Sequence, residues 1–489
     1  MPIFRILMTF AIAATLIGAA TAQRPTLNAD RIAAIDALIE ARMAAFKIPG
    51  AALALIENGE VVHARGFGTI GDGTTRLSAD TKFQIGSISK PFTALAILHL
   101  VETGELSLDD TLVSHVPTFR TRIAAQSDKI TVRHLLSHRS GFSTVFGNRN
   151  QGPGAVPDTS VKDLLSVTRR AALQSEPGAA YAYSNANYQW LGYLAERVTE
   201  RPFSEIFADS VAARYGLEQT RLGPSESSAG QTPGHRYWFG APRPYTWRPE
   251  RVTWPQGGVE TTASDLAKLL TGLIDAFDRA ELDPLLQAMV APVPAEAEAE
   301  TYYGLGWVIR QSPSPRIVYH HGLNPGFEAM AGFSPDERFG FVVLANASTS
   351  FGAANVSALG SGVVDLILDR ELRPSTPRLA ERIARMVVFA LPVLLLLNIT
   401  LFVWKWRRAA FEPITLRAAR ILLRLVLPSV VLIGLAYALY AIVPSLNGVN
   451  FQALYMFNPD IGLLLGFSSL LALAWGLVRP ILRLKLAAG

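Results

Sequence analysis

The 489-residue chain contains no cysteine. That excludes a catalytic thiol, a disulfide framework and any cysteine-ligated metal site. Charge is scarce, at 17% of residues, against 49% hydrophobic. A net charge of +5 comes without a lysine-rich tract or an aromatic-basic stripe, so nucleic acid is not an expected partner. No G-x-S-x-G elbow occurs, which argues against the α/β-hydrolase route to serine chemistry. Phosphate-loop and dinucleotide fingerprints are missing as well. His134 and His138 stand four apart, but Leu135 occupies the place of the glutamate that a zinc-protease helix needs. The pair reads as structural, and neither a metal nor a cofactor is expected.

The apolar residues are unevenly distributed. Arg5, the apolar stretch Ile6 to Ala20 and the small-x-small triplet Ala20-Thr21-Ala22 read as a secretory signal over residues 1–22. The apolar core is short for a first membrane span. Three further runs, at 386–404, 425–443 and 461–478, approach the ~20 residues that cross a bilayer. The connector between the first two carries Lys405, Arg407, Arg408, Arg417, Arg420 and Arg424, and the tail carries Arg479, Arg483 and Lys485. The connector from Pro444 to Asp460 has no lysine or arginine. The positive-inside rule therefore sets the first connector and the tail in the cytoplasm, and everything before residue 385 outside. The expected location is the cell (inner) membrane, multi-pass, with a periplasmic or extracellular domain. Arg373, Arg378, Arg382 and Arg385 fall on the outer side, in an expected linker over 373–385, where anionic headgroups suit them.

Residues 24–372 have ordinary globular composition. Helical spacing predicts a helix over Asp30 to Phe46, capped by Asn28 or Asp30. Asn58-Gly59 between two apolar runs predicts a hairpin. Helices are expected at 89–103, 131–138, 161–173, 187–199, 264–277 and 353–368. Strands are expected at 305–310, 317–321, 328–333 and 339–345. That order predicts an α+β domain whose mostly antiparallel sheet is closed from both ends of the chain.

The chemistry centres on Phe83-Gln84-Ile85-Gly86-Ser87-Ile88-Ser89-Lys90-Pro91-Phe92-Thr93. A serine hydroxyl needs an adjacent base to act as a nucleophile. If Ser87 opens a helix, Lys90 shares its face, and Pro91 sits in the first turn, where its missing N–H costs little. Downstream, Glu176-Pro177-Gly178 precedes Tyr183-Ser184-Asn185. Ser184 or Asn185 could equally cap the helix that follows. A third string runs Tyr319-His320-His321-Gly322-Leu323-Asn324-Pro325-Gly326-Phe327. His320 and His321 could also be an ordinary strand pair, one in and one out.

These three strings, in this order, resemble the serine β-lactamase, penicillin-binding protein and carboxylesterase superfamily, in particular its class C-like branch. The resemblance covers roughly residues 30 to 370 and stops before the apolar runs. It implies a β-lactamase-like domain, an antiparallel sheet flanked by helices with a helical subdomain, followed by an all-α transmembrane segment. It implies Ser87 as nucleophile and Lys90 and Tyr183 as proton handlers, the phenol acting as base with its pKa lowered by the lysine. Asn185 is expected to orient Lys90 and bind a substrate carbonyl. His320 and Gly322 are expected on the substrate-binding strand. The backbone amides of Ser87 and Leu323 are expected to form the oxyanion hole. Class C enzymes carry lysine where His320 stands, so the fixed cation facing a substrate carboxylate is replaced by a group neutral near pH 7. The strings Ile130 to Gly141, Gln256-Gly257-Gly258-Val259 and Thr262 to Ala267 resemble the family without contributing chemistry.

The expected activity is acyl transfer to Ser87 and hydrolysis, on a D-Ala peptide, a β-lactam or a small ester. The other reading is an acylatable sensor with little turnover, coupled to its membrane segment. The expected partners are a small-molecule or peptide substrate and the bilayer. Nothing in the sequence sets an oligomeric state.

Overall fold

A computed structural model of the chain describes residues 26–149, 161–223, 232–278, 284–292, 299–348, 357–372, 379–408 and 421–488. The signal expected over 1–22 lies outside these residues, as do Arg373, Arg378, Arg417 and Arg420.

Helix α1 (Ala29–Phe46) starts where the Asn28 side chain accepts the Arg31 N–H, which satisfies one of the orphan donors of the first turn. Strands β1 (Gly50–Glu57) and β2 (Glu60–Gly68) follow. Asn58 and Gly59 both take positive φ, 55° and 81°, as the predicted tight hairpin requires. Strand β1 is apolar on both faces because both are covered. Leu53 and Leu55 pack with Ile35 and Ile39 of α1, while Ala52, Ala54 and Ile56 join the larger core on the other side. Period-two alternation thus feeds two cores from one strand.

The middle of the chain supplies α2 (Ser89–Glu102), α3 (Asn185–Thr199) and α4 (Ala263–Asp278). Helix α2 is buried nearly all round, from Ser89 to Leu98, as suits a helix enclosed by others. The last strands are β3 (Thr301–Tyr303), β4 (Val308–Arg310), β5 (Ile317–Asn324), β6 (Phe327–Ser334) and β7 (Phe339–Ala345), followed by α5 (Ser357–Ile367). The seven strands form one antiparallel sheet in the order β2-β1-β7-β6-β5-β4-β3. Strand β1 pairs with β7, with Leu53 opposite Val343. The sheet is therefore closed from both ends of the domain, as expected for an α+β fold. The strand expected at 305–310 is different. Gly306 takes φ +88° and the Gly304 N–H donates to the Trp307 carbonyl, so the chain reverses there and only Val308–Arg310 is extended.

Beyond residue 378 come α6 (Leu379–Arg407), α7 (Leu422–Leu446), the short α8 (Phe451–Phe457) and α9 (Pro459–Ala488). Among the described residues three stretches, Arg382–Arg407, Leu422–Leu446 and Pro459–Leu484, are long and apolar enough to cross a membrane. Each exceeds the expected run. Arg382 and Arg385, assigned to a linker, lie inside α6 and continue it. Asn398 interrupts the apolar face of α6 to receive the Trp475 Nε1–H of α9 at 3.0 Å, the kind of polar contact that joins helices in lipid.

Candidate active site

The chain reaches Ser87 through a short strand, Phe83–Gln84, paired with Val259–Thr261. The Ile85 N–H donates to the Val259 carbonyl, and Gly86 then turns the chain with φ +51°. A methyl group on Gly86 would lie 2.5 Å from the Leu323 nitrogen of β5. The nucleophile turn is thus pressed against that strand. Ser87 occupies a single 3₁₀ turn, Gly86–Ile88, that runs directly into α2. Pro91 falls in the first turn of α2, where no partner for its nitrogen is missing. Two more bonds pin this entry: Val259 N–H to Ser89 Oγ at 2.9 Å, and Thr93 Oγ1 to the Pro255 carbonyl at 2.7 Å.

Lys90 lies one turn on from Ser87 and is fully buried. Its Nζ donates to Ser87 Oγ at 3.1 Å and to the Gln256 carbonyl at 2.9 Å. Tyr183 arrives from the loop before α3, and its hydroxyl donates to the same Ser87 Oγ at 2.8 Å. A hydroxyl, an amine and a phenol 96 residues apart in sequence therefore share one oxygen. Ser87 itself is half-buried, so the oxygen can be approached.

Burial sets the proton affinities. It drives the Lys90 amine well below its usual value of 10.5, because the charged form has lost its water and its partners among the described residues include no carboxylate. Burial also pushes the Tyr183 phenol up, with only the Ser87 contact opposing it. This reverses the expected division. The expectation is a phenol with a lowered pKa acting as base; the shifts run the other way, so that burial makes the phenol hold its proton more tightly and the amine hold its proton less tightly.

The other expected groups are placed as follows. Asn185 makes no hydrogen bond to Lys90; its Nδ2 donates to Asn148 Oδ1 at 2.7 Å, and its own Oδ1 is buried without a hydrogen-bond partner among the described residues. The amine is oriented by the Gln256 carbonyl in its stead. Neither Ser184 nor Asn185 caps α3 with its side chain; the Ser184 hydroxyl donates to the Ser143 carbonyl at 3.0 Å. His320 points inward, 3% exposed, and His321 outward. His320 Nδ1–H donates to the His321 carbonyl at 2.6 Å, and Nε2 accepts from the Tyr303 hydroxyl at 3.0 Å. Burial and the nearby Lys90 lower its pKa to about 3. It is a neutral ring with both nitrogens engaged, rather than a free group aimed at a substrate. Gly322 is needed for closeness, since a Cβ there would collide with the Ile85 carbonyl. Gly322→Ala is expected to cost about 1–3 kcal/mol through forced displacement of the nucleophile turn, read as a lower thermal unfolding midpoint in detergent.

A family model described as Beta-lactamase matches residues 35–359. The chain belongs to the β-lactamase family. Among curated relatives, "Protein flp" of Staphylococcus aureus (strain NCTC 8325 / PS 47) is 25% identical over 425 residues, covering 85% of this chain and 83% of that protein. "Penicillin-binding protein 4*" of Bacillus subtilis (strain 168) is 26% identical over 317 residues, covering 59% of this chain and 66% of that protein. Among solved structures, the octameric penicillin-binding protein homologue from Pyrococcus abyssi aligns with a TM-score of 0.60 and 26% identity, over 71% of this chain and 79% of that one. A match over 85% of the chain is longer than residues 1–372. The likeness to flp therefore reaches into the apolar C-terminal part, beyond the limit expected from the motifs.

Three groups at this β-lactamase-family site had no assigned role in the sequence. The Gln256 carbonyl belongs to a string read as adding no chemistry. It works here because it ends the short helix Trp254–Gly257, whose last carbonyls lack intrahelical partners. His138, read as structural, sits with its ring 4.4 Å from the Tyr183 ring, 5.3 Å from Tyr188 and 4.7 Å from Tyr303. Its Nδ1 accepts from the Ser184 N–H at 3.1 Å and Asn187 Nδ2 at 2.9 Å. Tyr188 lies under the ammonium position, with Lys90 Nζ 5.6 Å from its ring centre. His134 is structural, as read: its Nδ1 accepts the Thr131 N–H in a capping box.

Proposed function

We propose that the protein is an exported, membrane-anchored serine hydrolase that works through an acyl-serine intermediate on an amide or ester. One observation carries this reading: Ser87 Oγ receives both Lys90 Nζ, at 3.1 Å, and the Tyr183 hydroxyl, at 2.8 Å. Family membership supports the same class of chemistry.

Lys90, neutral through burial, takes the Ser87 proton as Oγ attacks the carbonyl carbon. The backbone amides of Ser87 and Leu323 hold the oxyanion, in keeping with the contact of Gly86 against the Leu323 nitrogen. Tyr183 gives its proton to the leaving amine or alcohol as the old carbonyl bond breaks, and is reprotonated by Lys90. Water then adds to the acyl carbon, gives a proton to Lys90, and the acid departs as Ser87 regains its hydrogen. Asn185 Oδ1, buried and unpartnered, is the group left to accept from a substrate N–H. A D-Ala peptide, a β-lactam and a small ester all offer the required carbonyl. His320 supplies no fixed cation for a carboxylate, which favours esters and neutral amides over β-lactams as turnover substrates.

The membrane reading rests on the three long apolar helices and on the arginines of the first connector and the tail. They support a catalytic domain on the outer face of the cell membrane.

The test uses the full chain in detergent against a panel of esters, D-amino-acid peptides and β-lactams. Multiple turnovers of at least one class, after a burst stoichiometric with enzyme, are expected. A burst without turnover would assign the domain to ligand sensing.

A further inference from the structure

The connector between α7 and α9 does not hang free. It docks on the active-site domain, and it does so on both rims of the Ser87 site. On one rim, Asn148 Nδ2 donates to the Gly448 carbonyl at 2.8 Å, while the same Asn148 accepts from Asn185 at 2.7 Å. Beside it, Asn450 Nδ2 donates to the Arg149 carbonyl at 3.2 Å, and Asn450 Oδ1 caps α8 by accepting the Ala453 N–H at 2.7 Å. Gly448 takes φ +71°, and a side chain there would press on Thr144 at 3.0 Å, so the seat is close-fitting. Gly448 thus lies two hydrogen bonds, through Asn148, from Asn185, which is two residues from Tyr183.

The other rim is the hairpin of Gly234–Trp238 and Ala241–Tyr245. The His235 N–H donates to the Gly326 carbonyl at 3.0 Å, which holds this hairpin against the turn just beyond Leu323. The next residue, Arg236, donates to the Met456 carbonyl at the far end of α8 at 2.6 Å. The Phe239 N–H donates to Asp460 Oδ2 at 3.1 Å, and the Phe239 ring meets the Phe389 ring of α6 edge-on at 5.7 Å. Helix α8 is a bar of roughly 10 Å, at 1.5 Å per residue, that joins the two rims. Ala453, Leu454, Met456 and Phe457 are its buried residues.

This geometry has a consequence for access. Phe389 belongs to an apolar helix long enough to cross a bilayer, and Phe239, at the hairpin tip, is still 49% exposed. The tip pairs this exposed ring with Trp238, edge-on at 5.5 Å, and beside the outer ends of such helices that tryptophan stands at the headgroup level, where Trp is favoured. The entrance to the serine is then built jointly by the catalytic domain and the membrane segment. We infer that the Ser87 site opens at the bilayer surface and takes its acyl group from a membrane-embedded amphiphile rather than from a freely dissolved substrate. The inference rests on Ser87 being the nucleophile. An amphiphile confined to the same surface reaches the site at a raised effective concentration.

The full chain is reconstituted in phosphatidylcholine vesicles and given two chromogenic esters with the same acyl group. One is water-soluble, and the other carries a long alkyl chain that holds it in the bilayer. The expected result is a kcat/KM at least about 10-fold higher for the embedded ester. Phe239→Ser, which removes the contact with α6, should abolish that advantage and leave hydrolysis of the soluble ester within about 2-fold. Equal rates for both esters, or an advantage untouched by the substitution, would overturn the inference. If Ser87→Ala hydrolyses both esters as fast as the unaltered chain, the serine reading itself fails, which is a separate outcome. A second readout needs no turnover. Because the chain has no cysteine, a single Ala241→Cys, beside the hairpin tip and opposite Trp238, can carry an environment-sensitive fluorophore while the Phe239 ring stays in place, with the exposed Glu60→Cys on the β1–β2 hairpin as control. Spin-labelled lipids with the quencher near the headgroup should quench position 241 and spare position 60. Failure to quench at 241 would put the rim away from the bilayer and end the proposal.

Discussion

Ser87→Ala lowers kcat/KM for any ester the protein turns over by about 10⁴-fold or more. The expected size follows from what remains. The variant keeps the backbone amides and the buried amine, but it has no oxygen to carry the acyl group. Removing the nucleophile of a unit costs nearly as much as removing the whole unit. The fold should be indifferent, because the Ser87 side chain supports no element: its oxygen only receives Lys90 and Tyr183. An unchanged thermal unfolding midpoint beside the lost activity is the expected pair of results. A loss of less than about 10-fold would mean another nucleophile.

Lys90→Met is expected to separate activity from stability in the opposite sense. The amine is fully buried, and its hydrogen-bond partners among the described residues are a hydroxyl and a carbonyl, with no acid. Keeping it neutral has a cost, since the unfolded chain would protonate it at neutral pH. The folded pKa lies below 10.5, so the unfolded state binds more protons between the two values, and stability rises with pH across that window. Methionine fills similar volume without the penalty. The variant should therefore be as stable as the native chain or more so near pH 7, by up to about 4 kcal/mol, with the difference shrinking as pH rises toward 10.5. Activity moves the other way, falling about 10²–10⁴-fold with the loss of the base. The native pH–rate profile should show a rising acid limb, because Lys90 must shed its proton to act. That limb should lie well below the ordinary lysine range and vanish in Lys90→Met. His320 cannot supply it near neutrality, since its pKa is held at about 3.

Much of this site is legible from the sequence because its key spacing is local. Ser87 and Lys90 are three apart, and one helical turn brings them together whatever the rest of the fold does. The Asn58-Gly59 hairpin and the three apolar runs are legible for the same reason: short windows carry the whole signal. What escapes is anything made by a backbone atom or by distant rings. The Gln256 carbonyl has no side-chain signature, although it orients the amine. Tyr303 and His138 meet Tyr183 only after the sheet and the helical lobe have closed. The direction of the Tyr183 shift escapes because the sequence displays the neighbouring lysine but not the burial that raises the phenol and lowers the amine. The strand expected at 305–310 fails at Gly306, where a positive φ breaks an apolar run that looks continuous. The docking of α8 is equally hidden, since Gly448, Met456 and Arg149 all take part through main-chain carbonyls.

The most direct test stops the full-length protein with acid during steady-state hydrolysis of an ester and maps the peptides by mass spectrometry. The account predicts the substrate's acyl group on Ser87, within the segment Phe83 to Lys90, decaying at a rate no slower than turnover. Turnover with no adduct there, or with the acyl group on another residue, would contradict it.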